Sequence, residues 1–405
     1  MEYTFGGKYK LEHEIGLGGC GSVFMGTHTV AGKEVAIKVE SARAKHSMLK
    51  QESRIYRTLM GGPGVPWMMW SGKQGDYNVM VIDLLGPSLE DLFRICNKSF
   101  SLKTVLLLAD QMISLIEFIH SRDWVHRDVK PANFLMGPDV YSSSQPSSCD
   151  RVNVIDFGLA KKYTYGPEGK HIKNSLCDSH GVGTPLFASI NTHRGEDCSR
   201  RDDLESLAYT LIYFLKGTLP WRKVKPPPAA AKNPKLAWDK ILAAKIAAET
   251  SGALTSGLPT EFDIFYKYVR GLGFEDLPDY EGCRRLFRDL AKRERVGYDG
   301  VFDWSVVGER VWDRNRNRGR GRSGSAPGAA GGNGGGGGHG AGNGNQAGNG
   351  NKAGNGHGAA NGGGGKGEMG TGGRKRRYCE ACEAKARERQ RMSISQPSTL
   401  SRRSK

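Results

Sequence analysis

The sequence predicts an α+β protein of two unequal lobes, a small β-rich one over residues 1–85 and a larger helical one over residues 86–305, followed by a disordered C-terminal tail. Three observations predict it. Apolar and β-branched runs broken by a single helical stretch fill residues 8–83. Helical segments that are apolar on nearly every face follow from residue 86. Beyond Arg314 the composition collapses to Arg, Asn, Gly and Ala.

In the first lobe, residues 8–15, 22–29, 34–40 and 78–83 read as strands. Between them Leu49, Glu52, Ile55, Tyr56 and Leu59 recur at helical spacing, which predicts one helix over 49–60. The character changes after Leu84-Leu85-Gly86-Pro87, where Ser88 is placed to cap a helix. Residues 102–120 and 203–215 read as buried helices, and 236–248, 261–271 and 280–293 as further helices.

The tail explains the unusual bulk composition. Of the 57 glycines, 27 lie between Gly319 and Gly373, so the remaining chain can bury a substantial core. From Arg314 to Lys405 there are 18 Lys/Arg against 4 Asp/Glu, so nearly all of the net charge of +17 sits in the tail. Residues 306–373 form an Arg/Gly/Asn-rich linker and 374–405 a basic, Ser-rich end; neither can bury enough apolar area to fold. Such a tail suits weak contact with nucleic acid, acidic proteins or an anionic membrane face, and equally a solvated tail with no dedicated partner.

The eight cysteines show no paired framework, and no signal core, N-myristoylation or prenylation signal or bilayer-length apolar run is present. A reducing compartment, cytoplasm or nucleus, is expected. Cys379-Glu380-Ala381-Cys382 lacks a second pair for structural zinc and reads as flexible thiols open to palmitoylation. Arg374-Lys375-Arg376-Arg377 fits a nuclear localisation signal or a solvated charge run. The alternating Arg of residues 314–322 suits weak RNA contact.

Four motifs carry chemistry. Gly16-Leu17-Gly18-Gly19-Cys20-Gly21-Ser22-Val23 is a G-x-G-x-x-G-x-V whose backbone N–H groups can approach phosphate oxygens without Cβ obstruction. Alone it is weak, but a strand rather than a helix follows it, which argues against a dinucleotide-binding Rossmann turn. Val35-Ala36-Ile37-Lys38 ends a strand on a lysine placed to hold phosphates, and Glu52, the one acid within residues 45–60, is its natural ion-pair partner. His126-Arg127-Asp128-Val129-Lys130-Pro131-Ala132-Asn133 is the most specific. Asp128 can take a hydroxyl proton, Lys130 can neutralise a transferring phosphoryl group, and the Asn133 amide oxygen can ligate Mg²⁺. Asp156-Phe157-Gly158 adds a second carboxylate for the metal. In this order and at these spacings the set points to phosphoryl transfer from ATP, which needs positioning and charge neutralisation more than covalent catalysis.

Asp83-Leu84-Leu85-Gly86-Pro87-Ser88-Leu89-Glu90-Asp91-Leu92, Ser189-Ile190-Asn191-Thr192-His193, residues 199–207, Leu219-Pro220-Trp221 and Phe302-Asp303-Trp304 resemble the casein kinase 1 family of Ser/Thr protein kinases over residues 5–305. Ser189-Ile190-Asn191 stands where most protein kinases carry Ala-Pro-Glu. The resemblance implies a bilobal eukaryotic protein kinase fold and a monomeric Ser/Thr kinase that needs no activation-loop phosphorylation. It also implies acidic or already phosphorylated protein substrates. It implies a nucleotide site of Ile15, Gly16, Leu17, Gly18, Gly19, Cys20, Gly21, Ser22, Val23, Ala36, Lys38 and Glu52, with the backbones of Asp83 and Leu85 taking the adenine edge and Ile82 as gatekeeper. Asp203 would brace the catalytic loop, and tail serines such as Ser393 and Ser395 would be autophosphorylated.

Three departures stand out. Ala132 replaces an Asp, and Cys20 sits at the glycine-loop tip, either a tolerated small residue or a redox-sensitive thiol. Leu186 replaces an Arg of a phosphate-binding patch, leaving Lys223 and Lys225 for acidic residues and predicting acidic over phosphate-primed substrates. The rivals are a catalytically weak kinase-fold scaffold, disfavoured because Lys38, Asp128 and Asp156 are all present, and a protein that acts chiefly by binding nucleic acid through its tail.

Overall fold

The computed structural model describes residues 4–18, 21–44, 47–138, 150–176 and 181–307. Gly19, Cys20, the linker, Cys379, Cys382, the basic run at 374–377 and the tail serines lie outside the described residues.

The N-terminal lobe is one antiparallel sheet of six strands: β1 (Thr4–Phe5), β2 (Tyr9–Gly18), β3 (Gly21–His28), β4 (Glu34–Ser41), β5 (Met68–Gln74) and β6 (Tyr77–Asp83), in the order β1-β2-β3-β4-β6-β5. Period-2 alternation sorts its side chains. Val35, Ile37, Val79 and Val81 pack with Phe5 and Tyr9 in a small cluster on one face. Ala36 and Lys38 alternate with them on β4 and so point to the opposite face. That face receives helix α1 (Met48–Leu59), whose N-terminus is capped by Ser47 accepting from Lys50 N at 3.3 Å. Its buried stripe of Leu49, Ile55, Tyr56 and Leu59 belongs to the large apolar cluster that continues into the second lobe.

The second lobe is helical: α2 (Leu89–Ile95), α3 (Leu102–Ser121), α4 (Ile190–His193), α5 (Arg200–Lys216), α6 (Lys235–Thr250), α7 (Thr260–Gly271), α8 (Tyr280–Arg293) and α9 (Asp303–Val307). Side-chain caps set the starts: Ser88 accepts from Asp91 N, Ser101 from Thr104 N and Asp279 from Gly282 N. Gly217, at φ 75°, ends α5 in the left-handed region. Helices α3 and α5 are buried nearly all round, as their composition requires. Helix α8 covers α3 with Tyr280, Cys283, Phe287, Leu290 and Ala291. The segment Phe302-Asp303-Trp304 closes back on the start of α3: Asp303 accepts from Ser101 N and Oγ at 2.6 and 2.7 Å, and buried Trp304 stacks on Phe302 at 4.6 Å.

Two strands of the N-terminal sheet escaped the sequence reading. Met68-Met69-Trp70-Ser71-Gly72-Lys73-Gln74 lacks clean alternation, yet it is a strand because β6 supplies its ladder partners, with a register shift between Met68 and Trp70. Strand β1 is two residues long, too short for any periodic signal. None of the described helices is long and apolar enough to cross a membrane.

Candidate active site

The site lies where the two lobes meet, on short irregular segments held by buried anchors. Antiparallel strands β7 (Phe134–Met136) and β8 (Val152–Val154) put the turn ending at Asn133 beside the turn beginning at Asp156. Asp203, 1% exposed at the start of α5, captures the His126 and Arg127 backbone N–H groups at 2.7 and 2.8 Å and faces His120 Nε2 at 2.9 Å. Burial would raise the Asp203 carboxyl, but His120, His126 and the backbone donors hold it below its ordinary value, while burial keeps the His120 imidazole low. This anchor holds Arg127 at φ 66°, an uncommon conformation for a long side chain. It thereby fixes the direction in which the next residue, Asp128, leaves the chain.

Asp128 is a shared acceptor. Its Oδ2 takes Lys130 Nζ at 2.6 Å and Asn133 Nδ2 at 3.3 Å, and its Oδ1 takes Thr184 Oγ1 at 2.7 Å. Lys130 Nζ also donates to Thr184 Oγ1 at 3.0 Å. Gly183, at φ 87°, precedes Thr184; a Cβ there would lie 2.4 Å from the Arg127 carbonyl, so only glycine lets the segment approach this closely. Thr184, two residues before Leu186, is a site residue to which the sequence assigned no role; no local pattern announces a contact 56 residues from its partner. Asn133 spends its amide N–H groups on Asp128 O, at 2.9 Å, and Oδ2. Its amide oxygen is left as a hard donor.

Lys38 Nζ meets Glu52 Oε2 at 2.7 Å, Glu52 Oε1 at 3.0 Å and Asp156 Oδ1 at 3.0 Å. One ammonium thus binds two carboxylates in different surroundings. Burial pushes the 1%-exposed Glu52 up to about 7 against the pull of Lys38. Asp156 keeps a side chain 31% exposed. Burial would raise it too, but Lys38, His126 and Lys130 hold it below the usual carboxylate range. Phe157, fully buried, packs edge-on against Tyr56 of α1 at 5.0 Å and near His126 at 5.3 Å, so α1, the turn at Asp156 and the loop from His126 to Asn133 share one packing unit.

The glycine-rich segment joins β2 to β3, with Gly16 opposite Val23, Leu17 opposite Ser22 and Gly18 opposite Gly21. A Cβ on Gly21 would lie 2.0 Å from the Val39 carbonyl, which excludes any other residue there. Ile15 is 46% exposed near the lip, and Ala36 pairs across the sheet with Ile82. The Asp83 carboxylate is taken by Lys33 at 2.8 Å and Trp67 N at 2.7 Å, while Leu85, just beyond β6, makes no backbone hydrogen bond to the described residues. Its peptide group is open to a ligand.

Below the catalytic loop, Ser189-Ile190-Asn191 is bolted to α5. Ser189 Oγ donates to Asp202 Oδ1 at 2.6 Å, and Ile190 N donates to Glu205 Oε1 at 2.7 Å. Glu205 in turn binds Arg270 at 3.1 Å. Lys245 of α6, 1% exposed, donates to the Ala188 carbonyl and lies over the Tyr209 and Trp221 rings at 4.6 and 5.1 Å. Burial lowers it from 10.5 to about 7. Leu186 packs against the core and its carbonyl accepts from Trp221 Nε1 at 2.8 Å; Lys223 and Lys225 are exposed beyond it.

Among the described residues no cluster of three His, Cys, Asp or Glu could hold a metal by itself. Two oxygen donors, Asp156 and the Asn133 amide, suit a hard divalent cation completed by phosphate oxygens. The arrangement offers a hydroxyl-proton acceptor, two fixed ammonium groups and two metal donors around one cleft. The protein kinase domain family matches residues 9–251. With a strand-rich N-terminal region, a helical C-terminal region and this cleft between them, the chain belongs to the protein kinase family.

Proposed function

We propose that the chain is a Ser/Thr protein kinase of the casein kinase 1 type that phosphorylates acidic protein substrates. The observation that carries the subfamily reading is the anchoring of Ser189-Ile190-Asn191 by Asp202 and Glu205 in place of an Ala-Pro-Glu segment. ATP would supply the γ-phosphoryl group, and a bound Mg²⁺ would offset the negative charge on it. The protein does the positioning. Lys38, held by Glu52, presents an ammonium toward the α/β-phosphates. Asn133 and Asp156 would hold the cation. Asp128 orients the substrate hydroxyl and takes its proton as the new O–P bond forms and the bond to ADP breaks, and Lys130 offsets charge on the transferring group.

Leu186 supports acidic over phosphate-primed sites, because an apolar side chain packed on the core stands where a phosphate-binding arginine was expected, while Lys223 and Lys225 remain exposed. The direct test is γ-phosphate transfer to casein and to an acidic Ser peptide, with Asp128→Asn as the control. Transfer that persists in the control assigns the activity to a contaminant. A peptide array showing strong dependence on phosphoserine three residues upstream would overturn the acidic preference.

A further inference from the structure

Helix α1 has a second face that the cleft does not use. Glu52, its only acid, turns inward to Lys38. Its exposed residues Lys50, Arg54 and Arg57 follow one another at i, i+4 and i+7, one stripe of a helix. The stripe forms one wall of a hollow of about 200 Å³; Ser71, Gly72, Lys73, Asn78 and Val79 of the sheet line the other side. Lys73 adds a fourth exposed cation from β5.

Other helices of the same chain show how a merely solvated face is built. On α2, Arg94 pairs with Glu90 and Asp91. On α8, Arg284 and Arg288 pair with Glu281, and Lys292 with Asp289. Across the hollow the pattern fails. Among the described residues Lys50, Arg54, Arg57 and Lys73 meet no carboxylate; Arg57 donates to Ser71 Oγ at 2.7 Å. Four cations around a concavity repel one another and attract an extended anion; the buried carboxylate behind Asn78, Glu40, is taken up by Asn78 Nδ2, Ser47 Oγ and the Met48 N–H rather than by these cations. Residues 1–313 carry only a small share of the net charge, so this concentration is local. On the floor, Asn78 is 3% exposed and its Oδ1 lacks a donor. A peptide would bring backbone N–H groups as well as carboxylates. The tail of this chain has the wrong sign to occupy the site.

We infer that the hollow between α1 and β5 is a docking site for a carboxylate-rich peptide segment of a partner protein. The site is separate from the phosphate-transfer cleft, on the reverse side of the helix that carries Glu52, and its contacts are charge-dominated at a solvated rim. Binding therefore weakens with salt.

The test is fluorescence anisotropy of the full chain with a fluorescein-labelled peptide of eight glutamates, at low and at physiological salt, with saturating ATP to occupy the cleft. In the double variant Arg54→Glu/Lys73→Glu, affinity for the probe falls roughly tenfold or more. The melting temperature stays within about 2 °C of the parent, because exposed substitutions rarely move stability far. An octauridylate RNA serves as the second probe, and its affinity changes less than that of the peptide. Unaltered peptide affinity in a folded variant overturns the inference and assigns binding to the tail or the substrate cleft. A loss for RNA equal to that for the peptide also overturns it, leaving a general anion surface.

Discussion

Lys38 and Lys245 are both almost wholly buried, at 8% and 1% exposure, yet their surroundings differ in kind. Lys38 faces two carboxylates across the cleft, Glu52 and Asp156. Lys245 faces the Ala188 carbonyl and two aromatic rings, with Glu205 near enough to act on it but already occupied by Ile190 N, Tyr209 OH and Arg270. A buried ammonium held by carboxylates retains charge that a phosphate can share. One held by a carbonyl and rings is costly to keep charged, and burial lowers it to about 7. Under the proposed function, the contrast separates an electrostatic device for handling ligand from a mechanical one that holds the segment Gly183-Thr184-Pro185-Leu186-Phe187-Ala188-Ser189 through the Ala188 carbonyl.

The comparison can be broken first at the cleft. Asp128→Asn lowers kcat for peptide phosphorylation by roughly 10²–10⁴-fold, the usual span for a lost general base, with little change in melting temperature; a steady-state transfer assay reads it. Lys38→Met costs about 10²-fold in kcat/KM, comparable to removing one preorganised charge donor, and raises the KM for ATP. If Lys245→Met caused the same loss with the same rise in ATP KM, the distinction between the two lysines would collapse.

Glu52→Gln has a smaller effect, about tenfold at pH 8, because a neutral amide still contacts Lys38. Its signature is the pH profile. Burial lifts Glu52 from 4.5 to about 7, so the parent gains activity as pH rises through about 7 and the ion pair forms, whereas the Gln variant lacks that limb. Stability runs the other way. Between about 4.5 and 7 the folded chain holds a proton that the unfolded chain has released, so the Glu52 contribution falls as pH rises. Melting curves over this window fall less steeply in the Gln variant.

Lys245→Met is expected to be mildest in activity, raising the peptide KM about threefold and leaving the ATP KM unchanged, since a lost hydrogen bond to Ala188 is worth about 1 kcal/mol. Its pH signature mirrors that of Glu52. With a folded value near 7 against 10.5 unfolded, the unfolded chain binds the extra proton between those values, so stability rises with pH there. The variant loses that rise. A parent whose melting temperature was flat from pH 7 to 10 would remove the burial cost assigned to Lys245.

Much of this molecule is legible in the order of its residues, and the limits of that legibility are physical. Motifs such as His126-Arg127-Asp128 through Asn133 and Asp156-Phe157-Gly158 state their chemistry because the donors lie within a few residues of one another. The partner of Lys38 could be named because α1 offers a single acid, and the structure brings Glu52 to it. Helix α8 was legible from its periodicity, since one face must be buried whatever it packs against, and α3 from being apolar on nearly every face. Strand β5 was not, because its ladder is supplied by a neighbour rather than by its own alternation.

By itself, then, the sequence determined the lobes, the order of chemical groups along the cleft and the segregation of positive charge into the tail. Only the tertiary structure decided which distant groups converge. Thr184 joins Asp128 and Lys130, Lys245 reaches Ala188, and Lys73 faces Lys50, Arg54 and Arg57 across a hollow. Local periodicity and capping are written in neighbours three or four residues apart. A contact spanning tens of residues is set by packing of whole elements, and no short window of sequence contains it.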